Sequence, residues 1–137
     1  MNVLVHAFRT DAPGHPAYRD WLLRLVSSPE AFALSELVLS GVLRVLTHPR
    51  VFAPPTPLER ALDYVEVLRT QPNAVLLQPG IRQWEIFTGL CASVSAKGNF
   101  IADAYHAALA IEHGCEWITT DRGFARFPGL RWRHPLD

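Results

Sequence analysis

Three carboxylates stand where the surrounding pattern would otherwise place apolar groups or the end of a strand: Glu36, Asp103 and Asp121. Glu36 heads a greasy helical run of Leu37, Val38, Leu39, Val42, Leu43, Val45 and Leu46. Asp103 falls in the first turn of a helix that opens at Asn99, where the macrodipole favours a negative charge by roughly 0.3–1 kcal/mol. Asp121 follows the apolar stretch Cys115–Thr119, at the strand end where open α/β sheets bind ligands. A helix that packs back on its sheet can bring Asp103 and Asp121 together. Two carboxylates held close repel unless a cation or a proton lies between them. An oxygen-only donor set suits Mg²⁺ or Mn²⁺ rather than Zn²⁺. Two such ions, about 3.5–4 Å apart, can activate a water and stabilise the leaving oxygen of a phosphodiester. The competing reading gives Glu36 and Asp103 to helix-dipole complementarity and Asp121 to a turn. Asp20, Glu59, Asp63, Glu66, Glu112 and Glu116 fall on polar helix faces or ends and read as solvated.

Other chemistries find little support. His106 is three residues after Asp103, so the two can share a face, and His113 lies in the last turn of the same helix, where a cation is favoured. No H-E-x-x-H, Gly-rich phosphate loop or G-x-S-x-G is present, and each His reads as structural rather than as a ligand. Cys91 and Cys115 are too few for a disulfide framework or a Cys-based zinc site and read as buried free thiols. Formal net charge is zero, so nucleic-acid binding needs a local patch. Between Arg122 and His134 lie Arg122, Arg126, Arg131 and Arg133 with no acid, interleaved with Phe124, Phe127 and Trp132. Such a segment can grip phosphates and stack bases; alternatively the aromatics are core and the arginines solvated.

The elements that must position these groups follow from periodicity and breakers. The 137 residues suit one domain, 1–137. Asn2–Phe8 reads as a strand by its β-branched content. Pro16 begins a helix that ends at Ser27-Ser28-Pro29, and Ala31–Leu34 is a short strand. Ser35 caps the helix from Glu36 to about Thr47. Thr56-Pro57-Leu58-Glu59 matches a capping box and predicts a helix to about Thr70. Ala74–Leu77 is a strand, and a helix follows Gly80 from Ile81 to about Ser95. Asn99 caps the next helix, whose apolar residues recur at Ile101, Ala104, Tyr105, Ala108 and Ile111 until Gly114 stops it. A strand over Glu116–Thr119 and an edge strand in the tail complete the chain. Short strands alternating with helices predict an α/β fold with a mainly parallel sheet. No apolar run of about 18 residues and no signal-type segment appears, so the default is a soluble cytoplasmic protein.

Four stretches together resemble a PIN-domain ribonuclease of the VapC toxin type: N-V-L-V-H-A-F-R at Asn2–Arg9, S-E-L-V-L at Ser35–Leu39, N-F-I-A-D-A-Y-H-A-A-L-A at Asn99–Ala110 and T-T-D-R-G-F at Thr119–Phe124. The resemblance implies a PIN-like (Rossmann-like) three-layer α/β domain and an Mg²⁺-dependent endoribonuclease, with Mn²⁺ an alternative ion. It implies RNA as substrate and a VapB-type antitoxin as partner. On the family pattern Glu36, Asp103 and Asp121 are metal-site acids, and Asn2 and Thr119 are polar neighbours of the site. Arg122 and Arg126 are the RNA-binding candidates. Apolar helices outnumber what one small sheet needs, so a homodimer is a further expectation. The sequence departs from the pattern in one respect. The family places an acid two residues before the Asn, at the end of a first, central strand, and N-V-L-V then begins a helix. Here that acid would fall before residue 1. The expectation is therefore a helix, not a strand, at Asn2–Phe8, with the first central strand missing or truncated and the natural start a few residues upstream. The alternative is a catalytically degenerate PIN-like domain that binds antitoxin or RNA without cutting.

Overall fold

Val3, Leu4, Val5 and Ala7 are all buried, a pattern that a two-residue strand alternation cannot produce but a short helix packed on two sides can. A computed structural model, which describes residues 1–137, accordingly makes Asn2–Phe8 a helix, α1. The helix that the family resemblance implied there is the one formed, and the strand suggested by β-branched content alone gives way: packing against neighbouring helices overrides local propensity. No strand precedes α1.

The chain divides into two compact units, residues Met1–Leu76 with Leu136, and Leu77–Pro135 with Asp137. In the first, α1 packs on α2 (His15–Ser27) and on α3 (Glu36–Leu46), and α3 packs on α4 (Leu58–Arg69). Strands β1 (Phe32–Ser35) and β2 (Ala74–Leu77) form a two-stranded sheet. Ser35 caps α3 as expected, its hydroxyl accepting from the Val38 N–H at 3.1 Å. Val42 and Leu46 are fully buried, and Val38, Leu39, Ala61, Val65 and Leu68 of α3 and α4 are buried too. The Tyr64 hydroxyl donates to the Leu4 carbonyl at 2.7 Å and ties α4 to α1.

The capping box at Thr56 does not form. Pro57 precedes α4 with no side-chain cap. Thr56 is buried, and its hydroxyl instead accepts from Arg9 Nη1 at 3.2 Å. Arg9 also grips Asp11 through two bonds of 2.8 and 2.6 Å and lies over the Phe52 ring. A long-range cation thus outcompetes the local amide.

The second unit holds α5 (Gln83–Ser93), α6 (Asn99–Glu112), β3 (Trp117–Ile118), a 3-10 helix (Arg122–Arg126) and β4 (Trp132–Arg133). β3 and β4 pair in parallel, Trp117 with Trp132 and Ile118 with Arg133, which is the pairing sense expected. Ala104, Ala107 and Ala108 are fully buried; with no side chain beyond Cβ they let α5 approach α6 closely. Leu90, Phe124 and Phe127 complete this core, and Trp132 packs partly buried against it. The tail aromatics are therefore core, the second of the two readings their pattern allowed.

Helix α6 begins at Asn99 rather than being capped by it. The cap is Gly98, at φ +59°, a conformation that a β-carbon would disfavour, and no side-chain cap bond forms. Gly114, at φ +66°, ends the helix as expected. Helix α5 starts two residues later than Ile81, because the Glu112 carboxylate accepts from the Gly80 and Arg82 N–H groups at 2.7 and 2.9 Å. Glu112 is thus a brace across the unit, not the solvated acid the pattern suggested. Cys91 and Cys115 are free, as expected, but half-buried rather than buried.

Candidate functional site

Helix α6 buries its alanine face, and that fixes which side of it remains open. Asp103 is the fifth residue of the helix, in its second turn rather than its first, and it is half-buried at the margin of that face. Asp121 emerges just beyond β3 and caps the 3-10 helix: its Oδ1 accepts from the Gly123 N–H at 2.8 Å. Its own N–H donates to the Thr119 hydroxyl at 3.0 Å. Thr119 is buried, and its N–H donates to the Arg133 carbonyl at 3.1 Å. A line of hydrogen bonds therefore runs from the β4 backbone through Thr119 to Asp121 and on to Gly123. Phe124, anchored in the core, holds the following turn in place.

The negative charge of Asp121 reaches the Asp103 carboxyl. Partial burial and then the negative charge of Asp121 push the Asp103 carboxyl above the usual carboxylate range, and the Arg126 guanidinium works against that rise. Asp103 and Asp121 thus share one electrostatic neighbourhood. Arg126 donates from Nε to the Gly123 carbonyl at 2.8 Å. Its guanidinium carbon lies 3.7 Å from the centroid of the Phe100 ring, within cation–π range. Arg122 is exposed and pairs with Asp137 at 3.2 Å.

Glu36 and Asn2 belong to the first unit. Glu36 is the exposed first residue of α3, and Asn2 the exposed first residue of α1. No group of three or more His, Cys, Asp and Glu residues converges on one point. The pair of Asp103 and Asp121 nevertheless fits a hard divalent ion. Mg²⁺ is commonly held by one or two carboxylates with water filling its remaining positions, and a divalent charge offsets both the burial and the Asp121 charge that raise Asp103. A zinc ion, which asks for nitrogen or sulfur donors, does not fit.

The histidines take structural places. His106 is turned into the core and stacks on Trp117, ring centroids 5.2 Å apart; burial lowers its imidazole to about 4. His113 donates from Nε2 to the Gln78 carbonyl at 2.8 Å. Sequence reasoning missed two members of the neighbourhood, Phe100 and Gly123. Phe100 was legible only as an aromatic one turn before Asp103. Gly123 carried no signal beyond its type. A β-carbon there would lie 2.8 Å from Asp121 Oδ1 and 2.9 Å from Arg126 Nη2.

Comparison with known proteins adds a family frame. The PIN domain family matches residues 1–130. Ribonuclease VapC43 of Mycobacterium tuberculosis is 48% identical over 137 residues, covering 100% of this chain and 93% of the relative. Ribonuclease VapC25 of the same organism is 37% identical over 135 residues, covering 98% and 95%. Among solved structures, VapBC2 from Rickettsia felis bound to a DNA fragment from its promoter superposes with a TM-score of 0.71 at 17% identity, covering 97% of this chain and 93% of that one.

Proposed function

This chain belongs to the PIN-domain family of VapC ribonucleases, and on that premise we propose that it is a metal-dependent endoribonuclease, the toxin of a toxin–antitoxin pair. What supports the reading is that Thr119 and Gly123 lock Asp121, whose negative charge reaches Asp103 in the same unit. Asp103 and Asp121 hold the ion. The support for Glu36 as a third acid, and for Asn2 as a polar neighbour, is their place in the sequence pattern. Thr119 is a positioning residue, fixing the backbone from which Asp121 projects. Arg126 and Arg122 supply positive charge for the phosphates on either side of the cut. A bound Mg²⁺ or Mn²⁺ supplies water activation and charge stabilisation at the phosphodiester. The partner is a VapB-type antitoxin, a reading supported by the VapBC2 complex to which the fold is similar.

The test is cleavage of single-stranded RNA with Mn²⁺ or Mg²⁺, with chelator and Asp103→Asn controls. The expected result is metal-dependent cutting that Asp103→Asn abolishes while its circular dichroism and melting temperature stay near those of the parent. Undiminished cutting by Asp103→Asn would remove Asp103 from the mechanism. A second reading is a PIN domain that binds RNA or antitoxin without cutting. Binding of metal and RNA without product would favour it.

A further inference from the structure

Arg126 bridges the two halves of the acidic neighbourhood. Its guanidinium rests on Phe100, one helical turn before Asp103, and its Nε is bonded to Gly123, two residues beyond Asp121. Asp121 Oδ1 and Arg126 Nη2 crowd the same space on Gly123, each within 3 Å of where a β-carbon would stand. Yet no ion pair within 4.0 Å joins Arg126 to either carboxylate. The cation is therefore parked close to the acids without capping their oxygens, held by an aromatic face and a carbonyl. An exposed arginine needs neither anchor; here both serve to keep its charge in one place.

We propose that Arg126 is the resident counter-cation of the Asp103–Asp121 pair, and that its fixed positive charge sets how tightly the pair binds a divalent ion. A cation arriving at the carboxylates is attracted by two negative charges and repelled by one positive charge already in position. The guanidinium holds the acids together when no ion is bound and weakens the ion's binding when one arrives. This rests on the reading of Asp103 and Asp121 as metal ligands. It adds that one residue of this chain moderates their affinity through charge, apart from any contact it makes with RNA.

The experiment is titration of the full chain with Mn²⁺ in the absence of RNA, followed by calorimetry or by the loss of the free-ion electron paramagnetic resonance signal. Parent, Arg126→Met, Arg126→Lys and Asp103→Asn are compared. Methionine keeps an unbranched stem over Phe100 and removes the charge; lysine keeps the charge and removes the planar fork. Arg126→Met should bind Mn²⁺ about tenfold more tightly than the parent at low ionic strength, with the gap narrowing as salt is added. Arg126→Lys should stay within about twofold of the parent. Unchanged or weaker binding by Arg126→Met overturns the proposal, because a purely structural role on Phe100 and Gly123 would not tighten the site. Equal tightening by both variants overturns it too, since charge would not be the cause. If the parent binds no Mn²⁺, or Asp103→Asn binds it equally well, the metal-ligand reading itself falls and this inference with it. Parent binding that depends on Asp103 but is indifferent to Arg126 sinks only this inference.

Discussion

Replacing Gly123 by alanine puts a single methyl group into the space that Asp121 and Arg126 share. Its carbon would lie 2.8 Å from Asp121 Oδ1, 2.9 Å from Arg126 Nη2 and 3.7 Å from Arg126 Cζ. The first two distances are shorter than such contacts tolerate, so both groups must yield. Arg126 yields cheaply, as the far end of a flexible side chain, and a shift of a few tenths of an ångström leaves its charge in place. Asp121 cannot, because its Oδ1 is bonded to the N–H of residue 123 itself. Moving the oxygen breaks that cap, at a cost of about 1 kcal/mol. Alanine returns about 0.4–1 kcal/mol by restricting the unfolded chain, so the melting temperature should stay within about 3 °C of the parent. Function should not be spared. A ligand displaced by a fraction of an ångström to an ångström should weaken Mn²⁺ binding about tenfold and slow RNA cleavage by about ten- to a hundredfold. Mn²⁺ titration and cleavage of a fluorescent RNA, run beside thermal melts, separate these terms. Parent-like affinity and cleavage in a stably folded Gly123→Ala protein would refute the reasoning, by showing that Arg126 alone makes room.

Two further perturbations probe the same frame. Thr119→Val removes the hydroxyl that accepts from the Asp121 N–H; it should cost about 1 kcal/mol in denaturant unfolding and lower cleavage, whereas Thr119→Ser should restore most of both. Burial holds the His106 imidazole at about 4 against an ordinary 6.5. Between those values the unfolded chain binds the proton and the folded chain does not, so stability rises with pH across that window and falls as pH drops from 6.5 towards 4, by up to roughly 3 kcal/mol. His106→Phe should flatten the melting temperature over that range, and an unaltered pH profile would show that other groups govern it.

What was legible in the sequence was what short-range chemistry decides. Ser35 caps α3 because its hydroxyl and the Val38 N–H are neighbours by construction. Gly114 ends α6 because the left-handed turn there favours glycine. The misreadings share a different cause. Thr56 carries a good capping signature, yet a partner 47 residues away in sequence, Arg9, claims its hydroxyl. Asn2–Phe8 has strand-forming residues, yet burial on more than one side makes it a helix. Phe124 and Phe127 left two readings open, core or base-stacking surface, and only the alanine face of α6 decides for the core. Each error arose where a distant segment supplied an interaction that the local pattern could not reveal.

The helix pairs that pack together have a consequence for how the molecule comes into being. The most extensive are α1 with α2, α3 with α4 and α5 with α6, each joined to its immediate successor in the chain, while α1 also reaches α3. Contacts of that kind close small loops, cost little entropy and form early. A chain made from its N-terminus can therefore assemble its helical hairpins one after another as they are synthesised. Asp121 follows the last of them. The acidic pair is completed only after the scaffold beneath Asp103 exists, so an unfinished chain is assembled before it is armed.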